Sequence, residues 1–156
     1  MNLRNALSDI SFMNTLFTSA ERAAHDLGDE VMGAEHLVIA ALENDDLDRS
    51  DLEPLALDGE KFRAAIVAVH AEALDALGIE GTTSPIAEPP HGALHSTHTA
   101  QEVFQDARKS AKARKVPLSA AGILVAAAAR LEHGTTARAL AHLGIDRSAI
   151  EALERP

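Results

Sequence analysis

The chain has 156 residues, and its 24 Asp and Glu against 14 Lys and Arg give a formal net charge of -10. This charge repels polyphosphate, and no apolar run reaches the roughly 18 residues of a membrane span, so we expect neither nucleic acid nor membrane as a partner. The sequence has no Cys, which excludes disulfides, thiolate metal sites and Cys nucleophiles and favours a reducing compartment, the cytoplasm by default.

The first predicted element is a long amphipathic helix, because apolar residues recur at alternating three- and four-residue steps. We expect Ser8 to cap this helix and Gly28 to end it. The predicted apolar face consists of Ile10, Met13, Phe17, Ala20, Ala24 and Leu27.

A buried helix follows the turn at Gly33. The segment from Leu37 to Leu42 carries no charge and is long enough for two turns, which is typical of a helix buried on most sides. Glu35 lies in its first turn, where the unpaired amides and the helix dipole favour a carboxylate by roughly 0.3 to 1 kcal/mol. The stretch therefore predicts a core helix with an acidic, partly exposed start.

Two further helices complete the first half of the chain. Ser50 and Glu53 have capping-box spacing and predict the start of a short helix, and Asp58 is predicted to cap the helix that Gly78 ends. The apolar stripe of that last helix comprises Phe62, Ile66, Val69, Ala73 and Leu77. Segment 81–92 then concentrates Gly, Thr and Pro, which predicts a linker or surface loop.

The second half also predicts four helices. Thr97 or Thr99 starts a helix that Pro117 ends, Ser119 caps an Ala-rich buried helix, a short helix covers 135–142, and Asp146 caps the last one. In the first of these helices we expect Val103, Phe104, Ala107 and Ala111 to face inward and the basic residues Arg108, Lys109, Lys112, Arg114 and Lys115 to face outward, as a solvated surface.

The same order of helices occurs twice: long amphipathic, buried apolar, short, and capped. Segments 55–58 and 143–146 have similar sequences and each precedes a capped helix, which indicates an internal duplication of about 80 to 90 residues. No segment alternates as a strand would. We therefore predict one all-α domain over 1–156, with about eight helices in two pseudo-symmetric four-helix repeats: repeat one about 8–78, a linker about 79–96, and repeat two about 97–154.

These motifs resemble the N-terminal domain of the Clp (Hsp100) ATPases, the double Clp repeat. The run 33–37, Gly-Ala-Glu-His-Leu, is similar to the Gly-Thr-Glu-His-Leu start of the family's buried helix, although Ala34 lacks the cap hydroxyl of Thr. Segment 137–146 is similar to the end of the family's second repeat, so the resemblance covers nearly the whole chain. It implies a domain that binds substrates, peptides and adaptors for a ring-shaped unfoldase. The sequence contains no phosphate-binding loop, so we expect no ATP hydrolysis and a free-standing relative or a fragment.

The resemblance also implies a binding site. In some family members the Glu of each such signature receives the guanidinium of a phosphorylated arginine, and Glu35 matches that residue here, with Gly33, Ala34 and His36 beside it. In the second half the register is open between 120, 121 and 122, and none of these positions is acidic, so a paired site is not expected. The alternatives are that Glu35 only stabilises its helix and that His36 is a packed or hydrogen-bonding residue.

Catalysis and metal binding have weaker support. His91, His95 and His98 could hold zinc or nickel, but a chance cluster in a Pro- and Gly-rich loop is the favoured interpretation. No nucleophile-elbow or metalloprotease motif occurs. We therefore predict a non-catalytic protein- or peptide-binding domain without cofactor, which recognises substrates, degradation tags or adaptors of a Clp-type unfoldase and protease system. The alternatives are a decoy that sequesters Clp adaptors or small-molecule ligands, and a small hydrolase or metal-binding protein.

Overall fold

The computed structural model describes residues 3–45, 47–79 and 95–152, and within them the backbone forms seven α-helices and one 3-10 helix. The α-helices are α1 (Leu3–Leu27), α2 (Ala34–Glu43), α3 (Gly59–Ala76), α4 (His98–Arg114), α5 (Ala121–Ala129), α6 (Thr135–His142) and α7 (Arg147–Ala152), and the 3-10 helix covers Ser50–Leu55. The all-α prediction is confirmed. The predicted loop over 81–92 lies outside the described residues, and the division into two repeats remains a prediction.

The two apolar helices form the centre of the molecule. Every residue of α5 is buried, and in α2 only the second residue and the last are not. Helix α2 packs against α1, α3, α4 and α5, and α5 also packs against α6 and α7. Small Ala side chains allow this close approach. Phe17 of α1 and Phe104 of α4 join the two halves, with their ring centroids 4.8 Å apart.

Three predicted caps are present. Asp58 Oδ1 accepts a hydrogen bond from the Lys61 N–H at 2.8 Å, and Thr97 Oγ1 accepts one from the Ala100 N–H at 3.2 Å. Each bond satisfies an amide in the first turn that has no partner within the helix. Asp146 similarly accepts from the Ser148 N–H at 2.9 Å, just before α7.

Three other predicted caps are wrong. Ser8 lies inside α1, which already begins at Leu3. Ser50 donates its hydroxyl hydrogen to Asp48 Oδ1 at 2.6 Å, so it does not cap the 3-10 helix that follows. Helix α5 has Ala120 at its N-cap position with no side-chain cap, so Ser119 does not cap it. The first amide of α5 instead donates to the Asp48 carbonyl at 3.0 Å.

The predicted helix faces are correct except at their ends. Ile10 is 51% exposed and Leu77 is 74% exposed, whereas Leu16, which was not predicted, is fully buried. Leu77 lies beyond the last residue of α3, and from Ile10 onwards the first fully buried position of α1 is Leu16. The inward face of α4 is confirmed. Four of the five basic residues predicted to face outward are exposed, Arg114 is half-buried, and Lys115 lies just beyond the end of α4. Within the described ranges, no helix has the length and apolar character to cross a membrane.

Candidate binding site at the start of helix α2

The backbone before α2 is held by a segment from the second half of the chain. The Met32 N–H donates to the His95 carbonyl at 3.0 Å, and the Thr97 N–H donates to the Met32 carbonyl at 2.9 Å. These bonds form a single parallel bridge between Met32 and Ser96. Gly33 follows in an extended conformation and is the N-cap residue of α2. The start of α2 is therefore fixed where the two halves meet.

His36 is fully buried at the third position of α2, and both of its ring nitrogens are hydrogen-bonded. Its Nδ1 accepts from the Gly33 N–H at 2.8 Å, and its Nε2 lies 3.1 Å from Asp29 Oδ2. Because a backbone N–H can only donate, Nδ1 must carry the lone pair and Nε2 the hydrogen, which it donates to Asp29. His36 is thus a neutral residue that connects the N-cap of α2 to the start of the preceding loop.

The pKa of His36 is lowered from its ordinary value. Burial is the largest cause, because it disfavours the imidazolium, and His70 acts weakly in the same direction. The nearby carboxylates of Glu35 and Asp29 oppose this effect and favour the charged ring, but burial outweighs them. The neutral tautomer inferred from the hydrogen bonds and the direction of the pKa shift therefore agree.

The Glu35 carboxylate lies over Gly33, at the surface end of the same helix. Its side chain is 18% exposed, Oε1 lies 3.8 Å from His36 Nδ1, and a Cβ placed on Gly33 would collide with the carboxylate. Glu35 accepts no hydrogen bond from any residue that the structure describes. With Asp29 close by, the site carries two carboxylates beside a neutral imidazole, a combination that attracts a guanidinium or ammonium group.

Helix α5 has no carboxylate at the position that lies as far from its N-cap as Glu35 lies from that of α2. Counting from the N-cap, Glu35 is the second residue of α2, and Gly122 is the second residue of α5. A Cβ placed on Gly122 would lie 3.1 Å from Asp51 Cβ and 3.5 Å from Asp51 Oδ2, so the exposed side chain of Asp51 occupies that space. The sequence analysis did not identify Asp29, which lies near the start of α2, or Asp51, which lies near the start of α5, because neither belongs to the helix that it approaches.

The predicted histidine cluster remains a prediction, because the structure describes only two of its three residues. His91 lies outside the described residues, His95 is exposed, and exposed His98 pairs with Glu102 at 3.1 Å. In the described part of the chain, the residues close enough to share a metal ion are Asp29, Glu35 and His36, with one ligand atom from each within 4.8 Å of the others. His36 is a poor ligand, because its lone pair already accepts the Gly33 N–H.

The helix order, the two central apolar helices and the Gly-x-Glu-His start of α2 together define the fold of a Clp chaperone N-terminal domain. The comparison with solved structures supports this assignment. The N-terminal domain of ClpD, a caseinolytic protease associated chaperone from Arabidopsis thaliana, matches with a TM-score of 0.63 and 16% sequence identity, over 90% of this chain and 88% of that one. The resemblance inferred from the sequence is thus confirmed for the fold. No family model matches the sequence, and no match was found among curated proteins.

Proposed function

We propose that this chain is a non-catalytic domain that binds protein or peptide segments for a Clp-type unfoldase and protease system. The observation that carries the proposal is the Clp N-domain fold over 90% of the chain. The site at the start of α2 could bind a ligand, because the Glu35 carboxylate is partly exposed and accepts no hydrogen bond from the described residues. Substrates, degradation tags and adaptors of such a system are the proposed partners, in the cytoplasm.

Arginine-phosphorylated protein is the proposed ligand of the Glu35 site. A carboxylate binds a guanidinium through two parallel hydrogen bonds, and Asp29 adds negative charge nearby. We propose one such site and not two. Near the start of α5, Gly122 has no carboxylate, and the nearby Asp51 carboxylate comes from the 3-10 helix. We therefore propose recognition of one modified arginine at a time.

A calorimetric titration with an arginine-phosphorylated peptide tests this site. Glu35→Gln keeps the size of the side chain but removes its charge, and we expect binding to weaken by roughly tenfold or more. Gly33→Ala should also weaken binding, because the new Cβ displaces the Glu35 carboxylate, while the extended backbone at Gly33 accepts Ala without strain. Glu21→Gln, at an exposed position of α1, is the matched control and should bind like the wild type.

Unchanged affinity of Glu35→Gln would contradict the assignment of this carboxylate. If wild-type protein binds neither the modified peptide nor its unmodified form, arginine phosphate is not the ligand. The protein would then retain only the broader role of polypeptide recognition.

A degradation assay separates the two modes in which such a domain could act. An adaptor delivers cargo, so adding the chain to a Clp-type unfoldase and protease should accelerate proteolysis of a bound substrate. A decoy sequesters adaptors or ligands, so adding the chain should inhibit the same reaction. We propose the adaptor mode, and dose-dependent inhibition would assign the decoy mode instead.

A further inference from the structure

The basic residues of α4 are concentrated in a part of the chain that has no acidic residues. Five of the 14 Lys and Arg lie between 108 and 115, whereas no Asp or Glu occurs between Asp106 and Glu132. This distribution departs from that of the whole chain, which carries a net charge of -10. A local surface of opposite sign to the protein can attract a partner that the rest of the molecule repels.

Three of these cations form one exposed stripe. Arg108 and Lys112 are four residues apart on one face of α4, and Lys115 follows the helix as its left-handed C-cap residue. None of the three forms an ion pair within residues 3–45, 47–79 and 95–152. Neighbouring like charges at this spacing destabilise a helix. The helix dipole favours Lys112 in the last turn but not Arg108, which lies earlier, so the stripe as a whole does not stabilise the fold.

A groove lies beside the stripe, between α4 and α5, with a volume of about 450 Å³. Its apolar lining comes from Val103, Ala127 and Leu131, and Gln105 provides an amide donor and acceptor. Gln101 also lines the groove, but its Nε2 donates to Ser96 Oγ at 3.1 Å. Lys109, which follows Arg108, also lines the groove and pairs with Asp106 at 2.8 Å. Arg108 is three residues after Gln105 and Lys112 is three residues after Lys109, so the basic stripe borders the groove on α4.

We infer that this surface binds an extended acidic segment of a partner protein, with an apolar side chain in the groove and neighbouring Asp or Glu residues on the stripe. The inference rests on the proposed function of polypeptide recognition and adds a second surface, separate from Glu35, with a defined partner chemistry. A peptide fits better than nucleic acid, because Glu102 and Asp106 line the groove and repel a backbone that is charged at every position. A peptide can place an uncharged residue there.

Fluorescence anisotropy with a fluorescein-labelled peptide, a Leu next to a block of Glu, tests the inference at low salt. The double variant Arg108→Gln/Lys112→Gln should weaken binding by roughly tenfold, and added salt should weaken wild-type binding. The matched control is Arg22→Gln/Arg138→Gln, which removes two exposed cations from α1 and α6 and changes the net charge equally. This control should bind like the wild type. Replacing the Leu of the peptide by Ser should weaken binding without changing its salt dependence.

Equal weakening in both double variants would overturn the inference, because only the net charge would then matter. Undiminished binding by Arg108→Gln/Lys112→Gln would also overturn it, as would tighter binding of a labelled oligonucleotide that depends on these two residues. The Glu35→Gln variant distinguishes failure of this inference from failure of the proposed function. If Glu35→Gln no longer binds the arginine-phosphorylated peptide while Arg108→Gln/Lys112→Gln still binds the acidic peptide, only the inference about the basic stripe is wrong. If the wild type binds no peptide at all, the proposed function fails as well.

Discussion

His36 contributes to the candidate site through its neutral form. Its Nδ1 accepts the Gly33 N–H and its Nε2 donates to Asp29, so the ring joins the N-cap of α2 to the preceding loop. A proton on Nδ1 would remove the lone pair that the Gly33 N–H needs. It would also leave a charge in a fully buried position, and this burial outweighs the favourable effect of the Glu35 carboxylate 3.8 Å away. Protonation of His36 should therefore destabilise the folded protein.

Stability should fall as the pH falls below about 6.5, the ordinary pKa of histidine. The folded-state pKa of His36 is lowered, so below this pH the unfolded chain binds more protons than the folded chain. The stabilisation is complete above about 6.5 and is lost as the pH falls towards the folded-state pKa. Urea unfolding between about pH 7.5 and 5 measures this dependence. The variant His36→Gln should be less stable than the wild type at the upper end of this pH range. Its free energy of unfolding should also change less with pH.

His98→Gln is the matched control for this experiment, because that ring is exposed on α4 and pairs only with Glu102. It should retain the wild-type slope. If His36→Gln and the wild type lose stability in parallel over this range, the neutral form of His36 does not contribute to the pH dependence.

At the scale of single elements, helix α3 depends on a side-chain cap at its start. Asp58 accepts from the Lys61 N–H at 2.8 Å, and this bond and the Lys61 ammonium lower the pKa of Asp58. Asp58→Ala should reduce the free energy of unfolding by about 1 kcal/mol, within the usual range for a lost N-cap. Asp58→Asn keeps the acceptor and should lose less. Chemical denaturation at neutral pH measures both, and equal stability of Asp58→Ala and wild type would contradict the cap.

The caps also show how far local sequence predicts these elements. Asp58 and Thr97 were predicted correctly because each needs only an amide three residues ahead. Ser50 and Ser119 were predicted wrongly because of Asp48, which accepts the Ser50 hydroxyl hydrogen and whose carbonyl accepts the first amide of α5. The bond between Asp48 and α5 spans distant parts of the chain, and no local pattern indicates it.

For the whole molecule, periodicity predicted the amphipathic helices. The two buried helices were predicted because segment 37–42 of α2 and all of α5 carry no charge and leave no face for solvent. The candidate site was predicted only in part. Glu35 and His36 lie in one recognisable run, but Asp29 joins them through the fold. Asp51 likewise reaches the start of α5 from the 3-10 helix. Such contacts depend on how the elements pack, which the sequence of a single element does not specify.

The proposed function depends on Glu35, which a fold of the Clp N-domain type would present for polypeptide recognition. A pull-down from native lysate, with wild-type and Glu35→Ala baits and quantitative identification of the captured proteins, tests it most directly. We expect the wild-type bait to enrich components or clients of a Clp-type unfoldase and protease system, and the Glu35→Ala bait to lose them. Identical captured sets from the two baits, or from an unrelated bait of equal net charge, would contradict the claim.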